Sequence, residues 1–214
     1  MKISEIFLSI SGESTGAGLL TTFIRMFGCN LKCSYCDSTY SIEGNDYEDL
    51  TIHEIMDRVH ELDCGRIILT GGEPLLIQSN AEDLIRRLVM EGYQVEIETN
   101  GACDLKPFRK YGVQFTMDWK CPSSGLNDKM IFDNLLVLNH HDVLKFVVGT
   151  QEDLEEVLRI VPKTQAQCFI SPVFGKIEPA EIVEFMKAHI DVLKYTRFQL
   201  QIHKFVWPVD ARGV

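Results

Sequence analysis

The chain is short of several things, and each shortage excludes something. No stretch stays apolar for the roughly 20 residues a bilayer-spanning helix needs. Nor does the N-terminus show a basic-then-apolar leader, so no membrane partner is expected and a cytoplasmic setting is. Positive charge is scarce: 21 Lys and Arg against 31 Asp and Glu leave a net charge of −10. Such a chain has no overall basic field for nucleic acid or an anionic membrane. No repeat, low-complexity tract or Gly/Ser linker divides the 214 residues, so one domain over 1–214 is expected, long enough for a sizeable core. An even cysteine count is lacking too. Seven cysteines speak against a closed disulfide framework, and a reducing compartment is the natural reading.

Three of those cysteines are the most informative feature present. Cys29, Cys33 and Cys36 stand at C-x3-C-x2-C spacing, with Tyr35 before the last. Three thiolates on one short loop can hold three irons of a [4Fe–4S] cube and leave the fourth open to an exogenous ligand. A structural zinc site would want four protein ligands and a closed shell. The remaining cysteines, Cys64, Cys103, Cys121 and Cys168, are scattered and read as buried small hydrophobes.

Around the cysteine loop, helices and strands alternate. Apolar or alternating runs predict strands over 3–10, 21–27, 66–70, 93–98, 114–119, 142–148, 166–171 and 197–202. Thr51 to Glu54 and Ser79 to Glu82 each read as a capping box opening a helix, the second running through Glu91. Further helices are expected over about 152–161 and over 180–194. This βα order calls for a parallel sheet with crossover helices. A closed eight-fold barrel takes about 250 residues, so the expected fold is α/β, a partial, open β/α barrel of about six mainly parallel strands.

Three segments at strand ends offer ligand groups. Gly71-Gly72-Glu73-Pro74 allows close backbone approach beside a carboxylate; alone it is equally a plain turn. Glu96 and Glu98 share one strand face, and Glu98 with Asn100 offers a carboxylate and an amide suited to a vicinal diol. The alternative is an ordinary Asn-Gly turn. Lys120 and Ser123 follow the next strand, either as an exposed charge and a loop hydroxyl or as ligand contacts.

The cysteine spacing, Tyr35 and the Gly-Gly-Glu-Pro segment together resemble the radical S-adenosylmethionine (SAM) superfamily. The resemblance implies an open-barrel fold, a [4Fe–4S] cluster on Cys29, Cys33 and Cys36, and SAM as the ligand of the open iron. It implies SAM contacts from Tyr35, Gly71, Gly72, Glu73, Glu98, Asn100, Lys120 and Ser123.

The flanks narrow the resemblance. Glu5 to Glu13 (EIFLSISGE), Thr22 to Arg25, Cys36-Asp37-Ser38 and Gln199 to Lys204 resemble the family of 7-carboxy-7-deazaguanine synthases. The resemblance extends from Glu5 to the C-terminus. It implies rearrangement of 6-carboxy-5,6,7,8-tetrahydropterin by radical ring contraction with loss of ammonia. It further implies a Mg2+ ligand at Ser38, substrate contacts from Ser11, Gly12, Glu13, Arg25, His203 and the terminal Val214, a reduced flavodoxin or ferredoxin as electron donor, and a homodimer. This chain departs from the family's common Gln-Gly-Glu-Gly by carrying Ser11-Gly12-Glu13-Ser14, where Ser11 has less reach than Gln. Two other readings remain at this point: a glycyl-radical-enzyme activase, which would need a protein partner, and a non-catalytic metal-binding or redox module.

Overall fold

Alternation along the strands sets the architecture. Ile67 and Leu69, Val95 and Ile97, Phe115 and Met117, and Leu144 and Phe146 sit at every second position and belong to one buried apolar cluster. The residues between them are in good part charged or hydroxylic: Arg66, Thr70, Glu96, Glu98, Thr116, Asp118 and Lys145. One face of the sheet is therefore built for helices and the other for polar company. The computed structural model describes residues 1–209 and 211–214.

Among the described residues nine strands form one sheet. They are β1 (Lys2–Ile10), β2 (Leu20–Met26), β3 (Glu48–Asp49), β4 (Arg66–Gly71), β5 (Gln94–Thr99), β6 (Gln114–Trp119), β7 (Val143–Val148), β8 (Gln167–Pro172) and β9 (Arg197–Phe198). The order is β3-β1-β2-β4-β5-β6-β7-β8-β9. β2 and β4 to β9 run parallel, while β1 and β3 add an antiparallel edge. The outermost strands β3 and β9 each have one neighbour, so the sheet is an open partial barrel. Helices α1 (Ile52–Leu62), α2 (Ala81–Met90), α3 (Asn134–Val137), α4 (Gln151–Ile160), α5 (Pro179–Ala188), α6 (Ile190–Leu193) and α7 (His203–Val206) complete the chain. Ile55, Met56 and Val59 of α1, Leu84, Ile85 and Leu88 of α2, and Leu154, Val157 and Ile160 of α4 pack into the apolar cluster. None of the helices is long and apolar enough to cross a membrane, among the described residues.

Local signals are met in part. Thr51 caps α1 in a full capping box with Glu54. The box expected at Ser79 does not form. Asn80 caps α2 in a left-handed conformation without a side-chain bond. Ser79 Oγ instead accepts from Ala81 N at 3.2 Å, and Glu82 is drawn to Lys110 and Tyr111. The single helix expected over 180–194 breaks at His189, whose φ of −117° and ψ of 38° leave the helical region. Its backbone N–H and a ring nitrogen both reach the Phe185 carbonyl and close off α5. The last strand, expected through Ile202, stops at Phe198. From there the chain leaves the sheet to grip the N-terminal loop. Ile202 N donates to Gly12 O at 3.1 Å, and the Gln199 amide pairs with both the N–H and the carbonyl of Ser14. His203 consequently stands at the start of α7.

The tightest backbone approach lies at the end of β4. A Cβ on Gly71 would sit 2.1 Å from Met26 O and 2.5 Å from Met26 N, at a φ of +134°. A Cβ on Gly72 would sit 2.1 Å from Gly28 O. Gly71→Ala is accordingly expected to lose about 1–3 kcal/mol or to misfold, through overpacking against backbone that cannot yield. Gly65→Ala, with open space around its Cβ, is the control expected to change little. Urea unfolding of both variants checks the contrast.

Candidate active site

The close approach at Gly71 and Gly72 puts the cysteine loop on the C-terminal ends of the strands, where sites gather in such sheets. Four consecutive strand ends each give the loop at least one attachment. After β4, Glu73 N donates to Gly28 O at 2.8 Å. After β5, Asn100 Nδ2 reaches Cys29 Sγ at 3.5 Å and Asn30 Oδ1 at 2.8 Å. After β6, Ser123 O accepts from Ser34 Oγ at 2.8 Å. On β7, Val147 O accepts from the Tyr35 hydroxyl at 3.4 Å.

Beside the loop opens a cavity of about 430 Å³, within the range of small-molecule sites. Cys29, Cys33, Tyr35, Cys36, Ser38, Gly71, Gly72, Glu98, Asn100 and Lys120 line it from the strand-end side. Gly12, Glu13, Arg25, His203 and Val214 line it from the termini. The structure thus brings fifteen of the eighteen expected site residues to one space.

Three do not reach it. Ser11 is buried in the N-terminal loop, its hydroxyl donating to Glu13 O at 3.0 Å. Glu73 is buried with both carboxylate oxygens engaged, Oε1 by Leu75 N and Thr99 Oγ1 and Oε2 by Asn100 N. Ser123 turns to the start of α4, where Asp153 accepts from both its N–H and its hydroxyl. Each is a loop clamp, because a nearer partner in the fold satisfies it.

Among the described side chains of the lining, Arg25, Lys120, Lys145, Lys204 and Arg212 stand beside Glu13, Asp37, Glu98 and Asp118, in a chain of net charge −10. Inside, the signs alternate. Lys145 Nζ lies 2.8 Å from Glu13 Oε2 and 3.1 Å from Asp118 Oδ1, and Asp118 Oδ2 lies 2.7 Å from Lys120 Nζ. Burial pushes Asp118 up, but Lys120 and Lys145 outweigh it and hold the carboxyl down at about 2. Burial would also lower Lys120, yet Asp118, with Cys33 and Tyr35 nearby, raises it. Glu98 has less compensation. Burial pushes it up to about 7 against the pull of Lys145, and it accepts from Thr70 Oγ1 at 2.8 Å. Burial lowers His203, with Glu13 opposing. A Cβ on Gly12 would lie 2.1 Å from His203 Nδ1, so the glycine is what lets the imidazole sit against the loop.

Two polar groups stand ready for a ligand. Glu13 Oε1 is buried without a hydrogen-bond partner, an expensive condition that a donor-bearing ligand would relieve. Arg25 donates through Nε to Glu5 at 3.0 Å, and its terminal nitrogens have no hydrogen-bond partner among the described residues. Sequence reasoning did not pick out Asp118, Lys145, Tyr40 or Arg212. Tyr40 donates to Glu5 at 2.9 Å, and the Arg212 guanidinium lies 3.4 Å from the Tyr40 ring centroid. Lys145 carried the one available signal, a lone cation inside the apolar strand Val143–Val148.

The thiols fit a cluster. All three line one cavity, and burial raises Cys29 and Cys33, with a backbone N–H and Lys120 respectively opposing. Thiols so placed gain from a cation that ionises them. Among the described residues no three His, Cys, Asp or Glu side chains gather tightly enough for one ion; a cubane spreads its thiolates over separate irons.

Comparison with known proteins agrees with this geometry. The model of the radical SAM superfamily matches residues 23–189. The 7-carboxy-7-deazaguanine synthase of Clostridium acetobutylicum is 40% identical over 221 residues, covering 100% of this chain and 99% of its own. The synthase of Chlorobaculum tepidum is 38% identical over 222 residues, covering 100% and 97%. In fold, the crystal structure of QueE from Escherichia coli matches with a TM-score of 0.71 at 20% identity, over 94% of each chain. Streptococcus suis SuiB bound to S-adenosylmethionine matches with a TM-score of 0.57 at 14% identity, over 83% of this chain and 46% of that one. The chain belongs to the radical SAM superfamily and, within it, to the family of 7-carboxy-7-deazaguanine synthases.

Proposed function

We propose that this protein converts 6-carboxy-5,6,7,8-tetrahydropterin to 7-carboxy-7-deazaguanine with loss of ammonia, as a single catalytic domain. The observation that carries the reading is the shared cavity, in which the cysteine loop and the Gly71-Gly72 backbone face Glu13, Arg25 and His203. When bound, the [4Fe–4S] cluster and SAM supply a one-electron reduction and an acceptor for a substrate hydrogen atom.

The chain's own residues bind and orient. Cys29, Cys33 and Cys36 hold the cluster, and Asn100 donates to the Cys29 sulfur. The cavity-lining backbone of Gly71-Gly72, with Tyr35, Glu98 and Lys120, would receive SAM. Glu73 and Ser123 serve the same end at one remove, by fixing Asn100 and the cysteine loop. Glu13 Oε1 accepts from the N–H edge of the pterin. The terminal nitrogens of Arg25 present a charged fork to its carboxylate. The Ser38 hydroxyl, on the lining beside Cys36, is an oxygen ligand suited to Mg2+ on that carboxylate. His203 and Val214 close the opposite side. The guanidinium of Arg25 on the lining supports an anionic substrate. The seven free thiols support a reducing, cytoplasmic setting. The family resemblance supports a reduced flavodoxin or ferredoxin as donor and a homodimer.

The decisive experiment is anaerobic turnover of the reconstituted protein with the pterin, SAM, Mg2+ and a reductant, read by mass spectrometry. The carboxydeazaguanine is expected to form without net consumption of SAM. Cleavage of SAM with the pterin untouched would contradict the reading and favour an activase. Cys33→Ala is expected to lose cluster iron and product together; an iron-loaded, active variant would remove Cys33 from the ligand set. Gly12→Ala should push His203 aside and raise KM for the pterin about tenfold, equivalent to ~1.4 kcal/mol, with the cluster's absorbance unchanged. Steady-state kinetics at saturating SAM measures it.

A further inference from the structure

Lys145 belongs to none of the motifs that carry the family resemblance, and its environment is unusual. It is the one charged residue of β7, set among Val143, Leu144, Phe146, Val147 and Val148, and its side chain is 8% exposed. A buried ammonium is tolerated only with opposite charge close by. Lys145 has two carboxylates, Glu13 from the N-terminal loop and Asp118 from β6. The first of these contacts spans 132 positions of sequence. It attaches the loop that carries Glu13 to the wall of the barrel.

The contact also decides how Glu13 is presented. Lys145 takes Oε2 at 2.8 Å, which leaves Oε1, buried and without a partner, as the oxygen still able to accept a donor. Without the ammonium, Glu13 would be free to rotate toward other donors on the lining, and its two oxygens would be equivalent. We propose that Lys145 is a positioning and specificity residue for the heterocyclic substrate: it fixes the Glu13 carboxylate so that one oxygen is reserved for an N–H donor of the ligand. This rests on the proposed pterin reaction and adds to it the group that orders the recognition carboxylate. Asp118 anchors Lys145 from the other side and is itself held by Lys120. The carboxylate that reads the substrate is thus tied through Lys145 and Asp118 to the part of the lining nearest the cysteine loop.

The test is equilibrium binding to the SAM-loaded, unreduced holoenzyme, where no turnover occurs. Calorimetry with 6-carboxytetrahydropterin compares the native protein with Lys145→Met, Glu13→Gln and the double variant. Lys145→Met is expected to weaken pterin binding about tenfold, while SAM binds as in the native protein. The double variant is expected to bind no more weakly than Glu13→Gln alone, because both changes remove the same lever. A purely structural role would predict loss of pterin and SAM affinity together. Native pterin affinity in Lys145→Met, or losses that simply add in the double variant, would overturn the proposal. Should Lys145→Met not fold, Lys145→Arg carries the test, since it keeps the charge but moves the donor. A selective loss of pterin affinity is expected there, and native affinity would refute the role. Native holoenzyme that binds no pterin at all would overturn the reaction itself, and the inference with it.

Discussion

Everything chemical in this molecule depends on one backbone contact. The Gly71-Gly72 pair at the end of β4 lies so close to Met26 and Gly28 that neither residue has room for a side chain. That proximity lets the segment after β2 cross the strand ends, where it is fastened by groups from β4, β5, β6 and β7 in turn. A loop carrying three thiols is entropically costly to order, and its own residues 28–37 include no helix or strand. Its order is borrowed from the parallel sheet beneath it. The cysteines are thereby presented to a cavity instead of to bulk water.

The second constraint is electrostatic. The sheet's helix-covered face is apolar and self-sufficient, whereas on its other side Glu13 of the N-terminal loop, Lys145 of β7, Asp118 of β6 and Lys120 just after it meet in alternating sign. Removing one member of such an array leaves an uncompensated buried charge, at a cost of about 3–5 kcal/mol. The array is stable as a set and poorly tolerant of single changes, which suits a surface that must stay fixed while two ligands bind against it. Preorganised polar groups of this kind need no rearrangement when the reaction begins.

Much of this was legible in the residues. The cysteine spacing, the paired glycines and the alternation in Arg66–Gly71, Gln94–Thr99 and Gln114–Trp119 located the fold and the strand ends correctly, because each is a local signal with a local cause. What escaped depended on partners distant in sequence. Glu73 and Ser123 read as ligand groups, yet Asn100 and Asp153 claim them first; Ser11 is taken more locally, by the carbonyl of Glu13. Ser79 looked like a helix cap, but Glu82 lies within reach of Lys110 and Tyr111, which no spacing rule reveals. The last strand reads as running to Ile202; the pull of Gly12 and Ser14 on the segment after Phe198 takes that segment out of the sheet. Lys145 was passed over because a single cation in an apolar strand has no meaning until the loop bearing Glu13 is seen beside it.

The central claim is that Cys29, Cys33 and Cys36 would hold a [4Fe–4S] cluster at the same cavity that would receive SAM. Electron paramagnetic resonance of the reduced, reconstituted protein, recorded before and after addition of SAM, tests it most directly. The account predicts a reduced-cluster signal whose g values shift when SAM is added, because SAM binds the iron itself. A cluster signal that SAM leaves unchanged would contradict it, showing that the open iron and the SAM site are not the same place.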